Sequence, residues 1–185
     1  RFRLAEENIG GLGALWHRLP ADSRFPDHSI WQHNSLCSAL YSSMELSQGE
    51  ESDLGLMAFS LTPVQEFISK ARKLRDYWTG SILLSWLAFE GICWVMENLG
   101  PDHVLYPSLI DQPLVATYLQ KNWKIGHEHG PEFWRNHPKS IASFPNKFLF
   151  VAPKEYAGTF GSAIQKRIQS AWLNVKNNVF SFLQS

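Results

Sequence analysis

Side chains able to bind phosphate follow one another at the end of an apolar run. Ser60, Thr62 and Gln65 offer hydrogen-bond donors, and Arg72 and Arg75 offer positive charge. A strand that leads into a helix is a natural place for phosphate, because the first N–H groups of the helix are free and that end is partly positive. The stretch has no Walker or GxGxxG pattern. A plain strand–helix unit with a solvated basic face is therefore the alternative interpretation.

A second group, Asp27, His28 and His33, has the side-chain types that bind metal ions. His28 and His33 are five residues apart in the sequence, whereas two ligands on one helix are normally about three or four apart. The alternative is a turn aspartate, a surface histidine and a group that caps the following helix.

A third group lies in a polar stretch, where His127 and His129 alternate and His137 is nearby. Alternating histidines could bind zinc or nickel adventitiously, but no matching ligand pair accompanies them. No Ser-His-Asp order, nucleophile elbow or well-placed pair of carboxylates is present either. The residues alone therefore indicate a phosphate-friendly α+β domain and no particular reaction.

The elements that position the first group follow from periodicity. Residues 54–61 are almost continuously apolar, which predicts a strand buried on both faces. Thr62 is the predicted N-cap of a helix whose first residue is Pro63. The helical pattern is predicted to run to Gly100, with a kink or a break permitted at Gly80 and Ser81. Its predicted core face consists of Val64, Phe67, Ala71, Leu74, Trp78 and Ile82.

The remaining pattern predicts an α+β fold in two parts. The acidic, polar residues 46–53 indicate a linker, which divides the chain into domains 1–50 and 51–185. The order from residue 54 is β-α-α-β-(α)-loop-β-α, as in a ferredoxin-like sandwich that lacks its last strand. The other predicted elements are helices at 30–44, 114–121 and from 156 onward, strands at 104–106 and 147–153, and a loop at 122–146.

Composition limits the classes of partner. The 17 basic and 17 acidic residues give a formal net charge of zero, so no global attraction to nucleic acid or membrane is expected. The longest apolar stretch, residues 82–96, is too short for a membrane span and is predicted to be a buried helix. Cys37 and Cys93 lie in apolar runs, which favours reduced thiols and a cytoplasmic protein over a disulfide. The chain opens mid-pattern without Met, so we expect a piece of a longer protein.

Four segments carry a family resemblance. They are "PDHSIWQHNSLCSAL", "SLTPVQEFISKARKLRDYWTGSILLSWLA", "LGPDHVLYPSLIDQPLV" and "FPNKFLFVAP", and in this order they span most of residues 20–153. In all four the chain resembles the large subunit of type III-B CRISPR effector complexes, the Cmr-type polymerase-like palm protein.

The resemblance implies an architecture. It implies an N-terminal, permuted HD nuclease domain followed by two palm domains related to nucleotide cyclases. Residues 1–50 would be the C-terminal helical part of the HD domain, with His33 matching a histidine of its later helix. Residues 51–185 would be the first palm, truncated, and nothing in this chain matches the GGDD turn of the second palm. The resemblance therefore supplies no catalytic residue here.

The resemblance also implies a ligand, a reaction and partners. The whole protein would make cyclic oligoadenylate from ATP with Mg²⁺ or Mn²⁺ when target RNA is bound, alongside other Cmr-type subunits and crRNA. Two ATP molecules would lie between the palms. One alternative is a scaffold palm that contacts a partner subunit and crRNA, and another is a metal-dependent HD-type phosphohydrolase. The residues implied near one nucleotide are Ser60, Thr62, Gln65 and Phe67, with Arg72, Arg75, Gly80 and Ser81 beside them.

Overall fold

The computed structural model describes most of the chain. The predicted histidine group at His127, His129 and His137 lies outside the described residues, as does most of the predicted linker at 46–53. The described residues are 19–22, 24–47, 53–110, 112–124 and 141–184.

From residue 54 onward, the described strands and helices follow the order that the sequence predicts, whereas the hairpin before them was not predicted. The described part of the chain begins with a short hairpin and ends with a long helix. In order the elements are β1 (Pro20–Asp22), β2 (Phe25–Ser29), α1 (Ile30–Ser47), β3 (Leu54–Ser60), α2 (Val64–Ser69), α3 (Leu74–Asn98), a 3-10 turn (Pro101–His103), β4 (Val104–Tyr106), α4 (Pro113–Tyr118), a π-helical turn (Leu119–Trp123), β5 (Lys147–Pro153), a second 3-10 turn (Lys154–Tyr156) and α5 (Ala157–Gln184).

The main sheet has the strand order β3-β5-β4, and both pairings are antiparallel. β3 pairs with β5 along its whole length, from Leu54 opposite Pro153 to Ser60 opposite Lys147. β3 and β4 are therefore parallel to each other, with α3 connecting them and β5 inserted between them. This is the arrangement of a split β-α-β unit. The predicted α+β class is confirmed.

The core forms where α3 and α5 pack on this sheet. Phe148 of β5 is 1% exposed and stacks on Phe59 of β3, with 5.3 Å between ring centroids. Gly91 of α3 allows the close approach, because a Cβ there would lie 3.0 Å from Phe148 and 3.1 Å from Ile168 of α5. The long apolar helix predicted after residue 80 is thus the core helix.

α3 is the one described helix that is long and apolar enough to cross a membrane. Its apolar window is 56% buried inside the protein. That burial agrees with the role of a core helix, which the interrupted pattern at residues 82–96 predicts.

α1 packs against β5 and against the turn before β4. The contact is polar at its centre, where His103 is buried and its Nδ1–H donates to the carbonyl of Val151 at 2.7 Å. Ser42 of α1 lies 2.7 Å from Nε2 of the same ring, and Ser35 donates to Asp102 at 3.0 Å. The sheet and the first helix are therefore linked by hydrogen bonds, while the predicted division near residue 50 stays a prediction.

The predicted two-sided burial of the first long strand is wrong. β3 pairs only with β5 among the described strands, so it lies at an edge of the sheet. Its side chains alternate between half-buried and exposed, and Leu56 is 64% exposed. An edge strand with one covered face gives this alternation, even though its sequence is apolar throughout.

The predicted position of the interruption, at Gly80 and Ser81, is also wrong. α2 ends at Ser69 and α3 begins at Leu74, so the break falls at residues 70–73, and α3 continues through Gly80 and Ser81. The carboxylate of Asp76 accepts a hydrogen bond from the Lys73 N–H at 3.2 Å, which starts a new helix at that point.

The predicted N-cap of the helix and part of its predicted core face are wrong as well. Pro63 rather than Thr62 is the N-cap of α2, and no side chain caps it. Three residues of the predicted core face are exposed. They are Phe67 at 37%, Leu74 at 88% and Trp78 at 54%.

Candidate nucleotide-binding site

The segment that follows β3 is held in place by one residue from far along the chain. The Leu61 N–H donates to the carbonyl of Asn146 at 2.7 Å, and the Asn146 side-chain amide donates back to the carbonyl of Leu61 at 3.2 Å. These two bonds continue the β3–β5 ladder past Ser60. They fix the backbone just before the predicted donors.

Three predicted donors lie on this connector or next to it. Ser60, Thr62 and Gln65 are all exposed, and their side chains bond to no described residue. They are spread over the end of β3, the connector and the first turn of α2. The structure therefore leaves these polar groups available to a ligand, within a segment whose start is fixed.

Among the four basic side chains here, Lys70 is paired with Glu66 at 3.2 Å. The bond from Lys73 to Asp76 uses the backbone N–H of Lys73 and does not occupy its ammonium group. Arg72 precedes α3 and Arg75 lies in its first turn; both are exposed and form no ion pair within the described residues. Arginine without a partner suits phosphate, because its planar fork can bind two oxygens.

Phe67 and Gly80 have packing roles that the sequence leaves undecided. The Phe67 ring meets Trp172 of α5 edge-on, with centroids 6.3 Å apart. A Cβ on Gly80 would lie 3.2 Å from Ile68 and 3.4 Å from Phe67, so α2 rests on α3 at this glycine. Ser81 is the next residue of α3 and is exposed. Gly80 and Phe67 thus set the position of α2.

The predicted metal group is not assembled into a ligand cluster. Asp27 contacts His28 at 2.7 Å, and this hydrogen bond lowers the pKa of the Asp27 carboxyl. The rings of His28 and His33 stack at 5.7 Å, and Cys37 lies 3.7 Å from His33. No three His, Cys, Asp or Glu side chains in the described parts of the chain are placed to hold a metal. Metal binding here stays a prediction.

A charged network between α3, α4 and α5 is absent from the sequence predictions. Arg167 of α5 donates to Glu90 at 3.1 Å and also to Glu97, and Tyr118 of α4 donates to Glu97. Burial opposes ionisation of Glu97, but the bonds from Arg167 and Tyr118 outweigh it, so the pKa of Glu97 is lowered. Burial and the Glu97 partner raise the pKa of Tyr118.

This network borders a groove of about 660 Å³ between α3 and α5. Glu90 and Glu97 are seven residues apart and so share one face of α3, which the sequence could have indicated. Arg167 comes from a different helix, and no local pattern points to it. Because each carboxylate already contacts the guanidinium, the arrangement links the helices and leaves no free acid–base pair.

Comparison with known proteins identifies the family to which this chain is similar. The family model described as "CRISPR-associated protein Cmr2, N-terminal" matches residues 56–177. The Cmr2 subunit of the Pyrococcus furiosus CRISPR system is 35% identical over 174 residues, which cover 94% of this chain and 18% of the relative. The Saccharolobus solfataricus Cmr2 subunit is 36% identical over 108 residues, which cover 58% of this chain and 10% of that relative.

A solved structure agrees. A chain of the type III-B Cmr-beta cryo-EM structure of the apo state matches with a TM-score of 0.58 and 25% identity. The match covers 83% of this chain and 18% of the solved one. The chain thus spans less than a fifth of the length of each of these proteins.

Proposed function

The chain belongs to the CRISPR-associated Cmr2 family, and on that premise we propose that it forms one side of an ATP site in the large subunit of a type III-B complex. The observation that carries the proposal is the exposed polar segment after β3. Within the described residues, the side chains of Ser60, Thr62 and Gln65 have no hydrogen-bond partner there, and Arg72 and Arg75 have no ion-pair partner. A triphosphate needs both kinds of group.

We further propose how this part serves the whole protein. Residues 51–185 act as a ferredoxin-like palm, and α1, which carries His33, is the end of an HD domain. The complete protein acts in the cytoplasm with the other Cmr subunits, crRNA and target RNA. It makes cyclic oligoadenylate from ATP with Mg²⁺ or Mn²⁺, and those ions are bound outside the segment described above.

The exposure of every candidate side chain supports a half-site rather than a complete pocket. Ligand sites normally enclose most of a bound molecule, whereas this segment contacts a ligand from one side only. We therefore expect this chain to bind ATP weakly and to catalyse nothing alone. A second palm would cover the other side of the nucleotide.

The test is titration of this chain with ATP and Mg²⁺, followed by calorimetry and by NMR shifts of the segment's amides. Gln65→Ala and Arg75→Ala should both weaken binding. Loss of a hydrogen bond to a charged group costs roughly 1.5–3 kcal/mol, so Arg75→Ala should lower affinity about tenfold or more. The matched controls are Gln169→Ala and Lys166→Ala, which change exposed residues of α5 outside the segment. Neither control should change the affinity for ATP.

Binding that both controls and both test variants retain would contradict this location. If this chain alone does not bind ATP, the titration is repeated with the full-length polypeptide. If that polypeptide binds ATP and the Arg75→Ala form of it binds as well as wild type, the proposal fails.

The second candidate function is a scaffold palm without a nucleotide. It is favoured by one observation: Leu74 and Trp78 are exposed beside the basic residues, as at many protein interfaces. A full-length polypeptide that shows no ATP binding, and whose assembly with other subunits is weakened by Trp78→Ala, would support it.

A further inference from the structure

Four exposed side chains form one face at the start of α3. They follow the spacing i, i+3, i+4 and i+7, which places residues side by side on a helix, and they are Leu74, Tyr77, Trp78 and Ser81. Leu74 is 88% exposed, Tyr77 51% and Trp78 54%, and Ser81 is exposed as well. We call this face the aromatic patch. Its large side chains remain open to a ligand although they lie on the first turns of a core helix.

The two rings of the aromatic patch have no aromatic partner. Among the described residues, neither Tyr77 nor Trp78 contacts another ring. By contrast, Trp94, Trp123 and Trp172 each contact another aromatic ring. An exposed aromatic face is a surface on which a planar group can stack, and nucleic-acid bases stack on such faces whatever their sequence.

Cations border the aromatic patch on both sides. Lys73 precedes Tyr77 by four residues, so the two are neighbours on one side of the helix. Arg75 precedes Trp78 by three residues and is its neighbour on the other side. Arg72 lies just before them, and none of these three cations has an ion-pair partner within the described residues. Each ring therefore has a free positive charge beside it.

The local charge favours an anionic ligand. The whole chain has 17 basic and 17 acidic residues, but the only acidic residue among positions 70–81 is Asp76. At 100° per residue, Asp76 points about 150° away from the centre of the aromatic patch, and its carboxylate accepts the Lys73 N–H bond. A complementary ligand has negative charge at its border and planar groups at its centre. A single strand of nucleic acid has both, whereas a duplex stacks its bases on one another.

From these observations we propose that the aromatic patch binds single-stranded nucleic acid. Bases stack on Tyr77 and Trp78, and the phosphates that link them contact Lys73 and Arg75. Contacts to base faces and phosphates read neither the base sequence nor the 2′-hydroxyl, so RNA and DNA strands should bind alike. The proposal goes beyond the ATP segment and does not depend on it, because the two rings lie outside that segment.

The experiment is a fluorescence-anisotropy titration of this chain with labelled oligo(U) RNA and oligo(dT) DNA of about 12 nucleotides, a common site size for single-strand binders. A duplex of the same length is the third probe and should bind more weakly. Tyr77→Ala and Trp78→Ala should each lower the affinity for both strands about tenfold, because each removes one stacked base. The matched control is Tyr41→Ala, which should change nothing. Tyr41 is 67% exposed on α1, a helix without lysine or arginine.

Salt dependence supplies the second readout and separates the roles of cations and rings. Each phosphate contact with a single strand adds about 0.7 to the slope of log affinity against log salt concentration. Lys73→Gln should reduce the slope by about that amount, whereas the control Lys166→Gln, on α5, should leave it unchanged. Trp78→Ala should lower the affinity at every salt concentration without changing the slope, because a stacked ring releases no counterion.

Several outcomes would overturn the proposal. They are absence of strand binding at low salt, equal affinities of the Tyr77→Ala, Trp78→Ala and Tyr41→Ala proteins, and a duplex bound as tightly as a strand, which would show attraction by charge alone. Ring variants that bind strands normally, while Trp78→Ala weakens assembly of the full-length polypeptide with other subunits, would assign the aromatic patch to a protein partner. ATP titration keeps the two proposals apart. Trp78→Ala should leave the affinity for ATP unchanged, and Gln65→Ala should leave strand binding unchanged.

Discussion

Two glycines of α3 allow a stability prediction in which the gain in helix propensity is the same for both variants and therefore cancels from the comparison. Gly80 and Gly91 both lie inside this helix, so replacing either by Ala gains the same helix propensity, about 1 kcal/mol. At Gly91 the new Cβ would lie 3.0 Å from Phe148, whose ring is 1% exposed. Overpacking of this kind costs about 1–3 kcal/mol. At Gly80 the nearest atom, at 3.2 Å, is the end of the flexible Ile68 side chain.

We therefore expect Gly80→Ala to be neutral or stabilising by up to about 1 kcal/mol and Gly91→Ala to be destabilising by about 1 kcal/mol. The difference, about 2 kcal/mol, measures packing alone. Urea unfolding followed by far-UV circular dichroism measures it, provided both variants keep the wild-type slope. A Gly91→Ala protein at least as stable as Gly80→Ala would refute the reasoning. ATP titration of Gly80→Ala adds a functional readout, since a packing role for Gly80 leaves affinity unchanged.

Three further predictions concern contacts from distant parts of the chain. Arg167→Met leaves two carboxylates without their cation, and at their partial exposure this should cost about 2 kcal/mol in urea unfolding at neutral pH. In wild type the pKa of Glu97 is lowered from 4.5, so the stability that ionised Glu97 adds is present above pH 4.5 and is lost as the pH falls through the lowered pKa. Urea midpoints measured across the acid range should show this loss of stability. The loss should be smaller in Arg167→Met. Asn146→Ala removes the bond to the Leu61 carbonyl and should cost about 1 kcal/mol, with faster amide exchange at residues 60–65 than in the control Asn174→Ala.

Elements with a strong local signal were predictable. The strand at 147–153 is confirmed as β5 and the helix at 30–44 as the longer α1, because each has apolar runs bounded by turn or capping residues. The burial of β3 was not predictable, because an apolar run does not reveal whether one or both faces of the sheet are covered. The break before Leu74 was not predictable, because Lys73 is not a typical N-cap residue and the regular apolar spacing across the break favoured one helix.

The same limit applies to the candidate site. Ser60, Thr62 and Gln65 are neighbours in the sequence, so any strand–helix connector brings them together. Asn146, which fixes that connector, is 85 residues away from Leu61 in the sequence, and Arg167 meets Glu90 only when α5 packs on α3. Contacts of this kind are set by tertiary packing, and no periodicity in a single sequence encodes them.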